Sequence, residues 1–175
     1  MLSFLKARRQ SREQTQALYD RIVVTARQPQ FYAVGGVPDT PEGRFELISL
    51  HVILAISRLN AEGETGRAAG QALFDHFFKD MDYAMREMGI GDTSIGKKIR
   101  AMAEVFYGRF KSYAGASDSG DRSALVEAIG RNLLGDPHHE QAGRFADYFR
   151  KSTDELATLS LLNANSADEL RFADF

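Results

Sequence analysis

Residues 91–98 read Gly-Asp-Thr-Ser-Ile-Gly-Lys-Lys. The spacing Gly91-x-x-x-x-Gly96-Lys97 is that of a phosphate-cradling loop, where backbone N–H groups wrap the phosphates and a lysine neutralises them. The chemistry also needs a Ser or Thr hydroxyl next, to hold Mg²⁺, and Lys98 stands in that place. A buried strand should precede such a loop. Instead, Phe74, Phe77, Phe78, Met81, Ala84, Met85 and Met88 recur at the i, i+3 and i+4 spacings of a helix. The nucleotide reading fails on context. The stretch reads as a junction between two helices. Gly89 or Gly91 ends the first, because a left-handed backbone costs glycine little. Asp92, Thr93 or Ser94 caps the second. Lys97 and Lys98 then fall in a first turn, where the macrodipole disfavours cations. That points toward binding something acidic, although a solvated basic face is the expected reading.

Other residues of chemical type do not assemble into a reactive set. The adjacent His138 and His139 point about 100° apart on a helix and do not chelate as an i, i+4 pair would. His51 and His76 stand alone, and structural roles are expected for all four. Asp80 and Asp82 do not face each other on a helix, so their spacing supports no acid/base pair. No nucleophile elbow is present. With no Cys among 175 residues, there is no disulfide and no thiolate metal site, as in a reducing compartment. No cofactor is expected.

The elements that must position these residues are helices. The first segment, about residues 3–27, has few strong apolar positions: Phe4, Leu5, Leu18, Ile22 and Val23. Its early half carries Lys6, Arg8, Arg9 and Arg12, in the manner of a basic arm. Residues 31–43, with two prolines and two adjacent glycines, read as a loop. Thr40 and Pro41 look like an N-cap and first position for a helix over 41–60. Apolar residues cover nearly its whole circumference, so it belongs at the centre of the fold. Arg44, His51 and Arg58 leave a narrow polar stripe on it. The third helix, about 64–88, carries the Phe/Met stripe. Met-rich faces also serve adaptable binding surfaces, but core is the expected role. Asp82 and Arg86 stand at i, i+4 with the acid first, a favourable pair.

The fourth helix is predicted over 94–113, a small-residue loop over 114–121, and further helices over 121–134 and 138–159. The tail, to Phe175, reads as a short helix or a peptide docked by its Phe residues. Strands and internal repeats are absent from the pattern. The expected architecture is all-α, one compact domain of about six helices. Along the chain, residues 1–30 form a basic N-terminal helix or arm, 31–160 the helical domain and 161–175 the tail. Net charge runs +4 over 1–30, −4 over 31–90, +3 over 91–113 and −5 over 114–175. Polar faces of opposite sign can choose partners, while a total of −2 argues against a general polyanion binder. The longest apolar run, Val52–Ile56, is far short of the roughly 20 residues of a membrane span, and the N-terminus lacks a signal-peptide core. The chain reads as soluble and cytoplasmic.

Several segments together resemble the ubiquinol–cytochrome c chaperone family. The resemblance rests on Arg44–His51, Phe74–Asp75, Phe77–Phe78, Asp80–Asp82, Arg86–Gly89, Gly91–Asp92, Gly96–Lys97 and Tyr107–Arg109, within residues 30–150. Amphipathicity does not dictate so long a string of mixed polar and apolar identities. The resemblance implies an all-α domain with no enzymatic activity that assists assembly of the cytochrome bc complex. It further implies a client subunit, cytochrome b, a small helical partner protein, and proximity to the ribosome or the inner membrane. The expected partner surface is the junction and its polar faces: Asp80, Asp82, Arg86, Lys97, Lys98, Arg100 and Arg109, around the structural positions Gly89, Gly91, Asp92 and Gly96. Two other readings compete. A helix–turn–helix with Lys97, Lys98 and Arg100 at its second helix would suit a nucleic-acid-binding regulator, although no specific nucleic acid is expected. A lipid or quinone carrier would need an enclosed apolar cavity.

Overall fold

A helix that is apolar on nearly every side must be covered on every side, and the structure is built on that requirement. The computed structural model describes residues 2–163 and 165–175. Within the first helix it describes the side chains of Lys6 and of residues 9 onward, so the expectations for Phe4, Leu5 and Arg8 lie outside the described residues. Among the described residues eight helices follow in order: α1 (Leu2–Ala26), α2 (Pro29–Ala33), α3 (Pro41–Asn60), α4 (Gly63–Glu87), α5 (Asp92–Asp118), α6 (Arg122–Leu133), α7 (Ala142–Ala157) and α8 (Ser166–Glu169). Six are substantial, and no strand occurs among the described residues. The expected all-α domain is what forms.

α3 is the axis. Thr40 caps it by accepting the Gly43 N–H at 3.1 Å, with Pro41 at the first position, as its sequence predicts. Leu47, Leu50, Val52, Ile53, Ala55 and Leu59 are wholly buried. α1, α4, α5, α6 and α7 all pack on α3. The stripe expected at Arg44, His51 and Arg58 does not exist as a solvent face. His51 has no exposure at all, and the Arg58 Nε donates to the Leu159 carbonyl at 2.7 Å. Arg44 is exposed and pairs with Asp39.

Four boundaries depart from the sequence reading. Residues 29–33 of the first connection form the short helix α2, which sets the Phe31 ring into the core. α5 continues through Ala114–Asp118, because Tyr113 and Ala116 are buried and tertiary packing outweighs the poor helix propensity of the small residues there. The break comes at Gly120, φ +70°, where the Asp121 N–H reaches the Ala116 carbonyl, a Schellman closure. α7 begins at Ala142, so His138 and His139 lie in the turn before it. Finally, α5 begins at Asp92 rather than Ser94.

The tail docks as expected. After α8, Phe172 sets its ring edge-on to His51 at 4.8 Å, and Phe175 packs on Phe31 at 4.9 Å and Phe145 at 4.6 Å.

Candidate functional site

The junction is made by the backbone. Gly89 has φ +78°, the Gly89 N–H bonds to the Arg86 carbonyl and the Ile90 N–H to the Met85 carbonyl. Of the two glycines considered, Gly89 therefore ends α4, while Gly91 is the extended N-cap residue of α5, with φ −68° and ψ 145°. No side chain caps α5, which corrects the expectation for Asp92, Thr93 and Ser94. Asp92 is instead the first helical residue, where its charge complements the dipole and pairs with Arg86. Counting from Asp92, Lys97 and Lys98 fall in the second turn. The conflict between two lysines and the macrodipole disappears with that correction.

Most of the charged residues at the junction have internal work. Asp80 accepts the Tyr19 O–H at 2.8 Å, clipping α1 to α4; burial, then this carboxylate, pushes the Tyr19 phenol far up. Arg86 donates to Asp82 at 2.6 Å and also holds Asp92, so one guanidinium bridges the end of α4 and the start of α5. Arg109 grips Glu46 of α3 through two bonds of 3.2 and 2.9 Å. This pair is mostly shielded, with side-chain exposures of 23% and 14%, and it locks α5 to the central helix. Among the described residues, Lys97, Lys98 and Arg100 enter no such ion pair. They also part company. Lys98 lines a groove with Ala101, Met102, Val105 and Arg109, while Lys97, one residue before it, and Arg100, two after it, stay outside that lining; all three are exposed. Gly96 is exposed, and a Cβ there would meet nothing within 4 Å.

The groove is the feature that the residue-by-residue reading missed. It is open to solvent, holds about 510 Å³, and runs between the N-terminal turns of α3, the C-terminal half of α4 and residues 98–109 of α5. Met81 and Met85 come from α4, Met88 from its C-cap and Met102 from α5. The chain's remaining methionine is Met1. Phe45 contributes from α3, and Ile90 from the turn. The stripe predicted to be core therefore divides. Its Phe half is core: Phe77 is 0% exposed and Phe78 nearly buried. Along its Met half, Met81 is half-buried and Met85 still buried, and the face opens at Met88, 63% exposed. The signal was present in the change from Phe to Met along one face. Periodicity defines a face, however, and does not say what covers it.

The second buried polar site lies on the far side of α3. The His51 Nδ1–H donates to the Leu47 carbonyl at 2.7 Å, and Nε2 accepts from the Tyr148 hydroxyl at 2.7 Å. That assignment keeps the ring neutral, and complete burial pushes its pKa down to about 4. Both nitrogens are satisfied within the protein, so His51 is structural. Among the described residues no cluster of His, Asp and Glu could hold a metal, and no helix is long and apolar enough to cross a membrane.

Residues 34–164, which contain the groove and the junction entire, match the family described as ubiquinol–cytochrome C chaperone. The chain belongs to that family. The architecture of this chaperone-family member agrees with the crystal structure of the Cbp3 homolog from Brucella abortus, with a TM-score of 0.84 and 36% sequence identity over 99% of this chain and 96% of that one. The ubiquinol–cytochrome-c reductase complex assembly factor 1 of Xenopus laevis is 29% identical over 134 residues, 74% of this chain and 66% of the frog protein. The Homo sapiens protein of that name is 24% identical over 134 residues, 75% of this chain and 44% of its own length. The family member described here thus spans about two thirds or less of these curated relatives.

Proposed function

We propose that the chain is an assembly chaperone for the ubiquinol–cytochrome c reductase complex, that it holds a newly made cytochrome b-like subunit, and that it works by binding rather than by catalysis. The observation that carries this reading is the extent of the family match. It takes in the whole α3–α4–α5 face, where the open groove and the free cations lie together. A holding protein needs adaptable apolar surface with charged guides beside it, and this face offers both. The reading extends to a peripheral place at the inner membrane, where such a subunit is inserted, and to a small helical partner on the same protein.

Lys97 and Arg100 are the proposed guides. Reversing both charges (Lys97→Glu with Arg100→Glu) leaves the fold intact, because both side chains are exposed and surface changes of this kind cost within about 0.5 kcal/mol. In membranes of cells deleted for the gene and resupplied with this variant, quinol–cytochrome c reductase activity should fall clearly below the level that the native chain restores. A folded variant that restores full activity would sink the role given to these two cations. The competing readings fit the geometry less well. Lys98 faces the groove while Lys97 and Arg100 lie outside it, so the three do not form one phosphate-tracking stripe. The apolar space is an open groove, not the enclosed cavity that a lipid or quinone carrier requires.

A further inference from the structure

We infer that the methionine groove is a docking site for an apolar α-helix of a membrane protein, the kind of segment that a bilayer would otherwise cover. The inference rests on the proposed chaperone role and names the part of the client that is held. Three observations choose this occupant.

The first is the absence of a sheet edge. The walls are α3, α4, α5 and the turn between the last two, and among the described residues there is no strand for an extended peptide to add to, so a helix laid between helices is the mode that fits. The second is shape. Ser94, Ala101, Gly108 and Gly115 recur every seven residues along α5, and Ala101 of this series lines the groove. Gly108 and Gly115 are exposed, and a Cβ at either would meet nothing within 4 Å. No packing within this chain calls for small residues there, and small residues are what let a second helix backbone approach closely. The third is charge. The groove is lined by Glu42, Glu46, Lys98 and Arg109, and Glu46 and Arg109 neutralise each other. Glu42 and Lys98 leave no net charge for a charged face to read. The floor is apolar, and its four thioether side chains can repack around differing aliphatic surfaces. About 510 Å³ takes a few side chains of the occupant rather than its whole girth, leaving the rest of the helix on the exposed small-residue face.

The chain has no Trp, so a single Trp in a peptide reports binding without background. The probe is a synthetic helix of about 20 residues, Leu and Ala with one central Trp and lysines outside both ends, in detergent below its micelle concentration. A second peptide of equal length has an amphipathic, charged face. With the full native chain, the apolar peptide should give a saturable blue shift of Trp emission and bind more tightly than the amphipathic one. Met88→Glu and Val105→Glu place a charge in the groove at positions 63% and 37% exposed, so both fold, and each should weaken binding about tenfold or more. Tyr83→Glu, 61% exposed and away from the groove lining, should leave it unchanged. The inference is overturned if the groove variants bind like the native chain, if Tyr83→Glu weakens binding as much as they do, if the amphipathic peptide binds more tightly, or if no saturable shift appears. Failure of the underlying chaperone reading would look different: cells deleted for the gene would assemble the reductase complex at the normal level, whatever the peptides do.

Discussion

The two sides of α3 treat their polar and apolar groups in opposite ways. Toward α7 and the tail, His51, Tyr148, Phe31, Phe172 and Phe175 close over one another, and every nitrogen of the histidine is used. Toward α4 and α5, the same central helix meets a wall that begins as phenylalanine core and ends as exposed methionine. Ion pairs lock the frame there, while among the described residues Lys97, Lys98 and Arg100 lie outside them. The first region is sealed and specific, as a fold requires. The second is apolar and open, which costs stability unless something else covers it. The difference teaches that invested packing marks the scaffold in this chain, and packing withheld marks the face proposed to bind the client.

The contrast can be broken first by truncation. Phe77→Ala, in the sealed part of α4, should lose about 3–5 kcal/mol in denaturant unfolding, whereas Met88→Ala, at the C-cap of that helix, should lose less than about 0.5 kcal/mol. Equal losses would mean that the groove is as tightly packed as the core. Acid provides the next test. His51 has a folded pKa of about 4 against 6.5 for the free side chain. A depressed folded value contributes stability above pH 6.5 that is lost as pH falls toward 4. The loss should reach about 3 kcal/mol, and an NMR titration should find the His51 ring still neutral at about pH 5.5. A ring that titrates near 6.5 would show that the site is not sealed.

Removing Arg109 should cost about 1–3 kcal/mol, since Glu46 would be left shielded and unpaired. Loss of the pair with no change in unfolding would show that α5 is held by its apolar stripe alone. The smallest effect has the opposite sign. Gly108→Ala, on an exposed helical face with nothing near, should stabilise the isolated protein by about 0.5–1 kcal/mol while adding bulk where the occupant helix is expected. A destabilised variant would reveal a packing role for that glycine.

What the sequence makes legible follows from the range of the forces involved. The start of α3 is readable because Thr40, Pro41 and Gly43 settle it within one turn. Its central place is readable because an all-round apolar helix has nowhere else to go. The end of α5 is not, because Ala114–Ser117 resemble a loop until Tyr113 and Ala116 find their places in the core. Burial of His51 depends on Tyr148, 97 residues away. The Lys97/Lys98 puzzle turned on whether α5 begins at Asp92 or Ser94, a choice that Arg86 influences from the preceding helix. Asp80, Asp82, Arg86 and Arg109 stand out in the sequence as charges near the junction, and only their partners reveal that they also brace it. The groove itself is a missing neighbour, and a sequence pattern records the face that is apolar without recording what fails to cover it.

The most direct measurement is made in membranes from cells that lack the gene and are resupplied with the Met88→Glu/Val105→Glu double variant. The thermal midpoint of the purified variant and the amount of assembled reductase complex are read together. The expected result is a native-like midpoint with little or no assembled complex. A native-like midpoint with the complex restored to its normal level would contradict the claim that this open face holds the client.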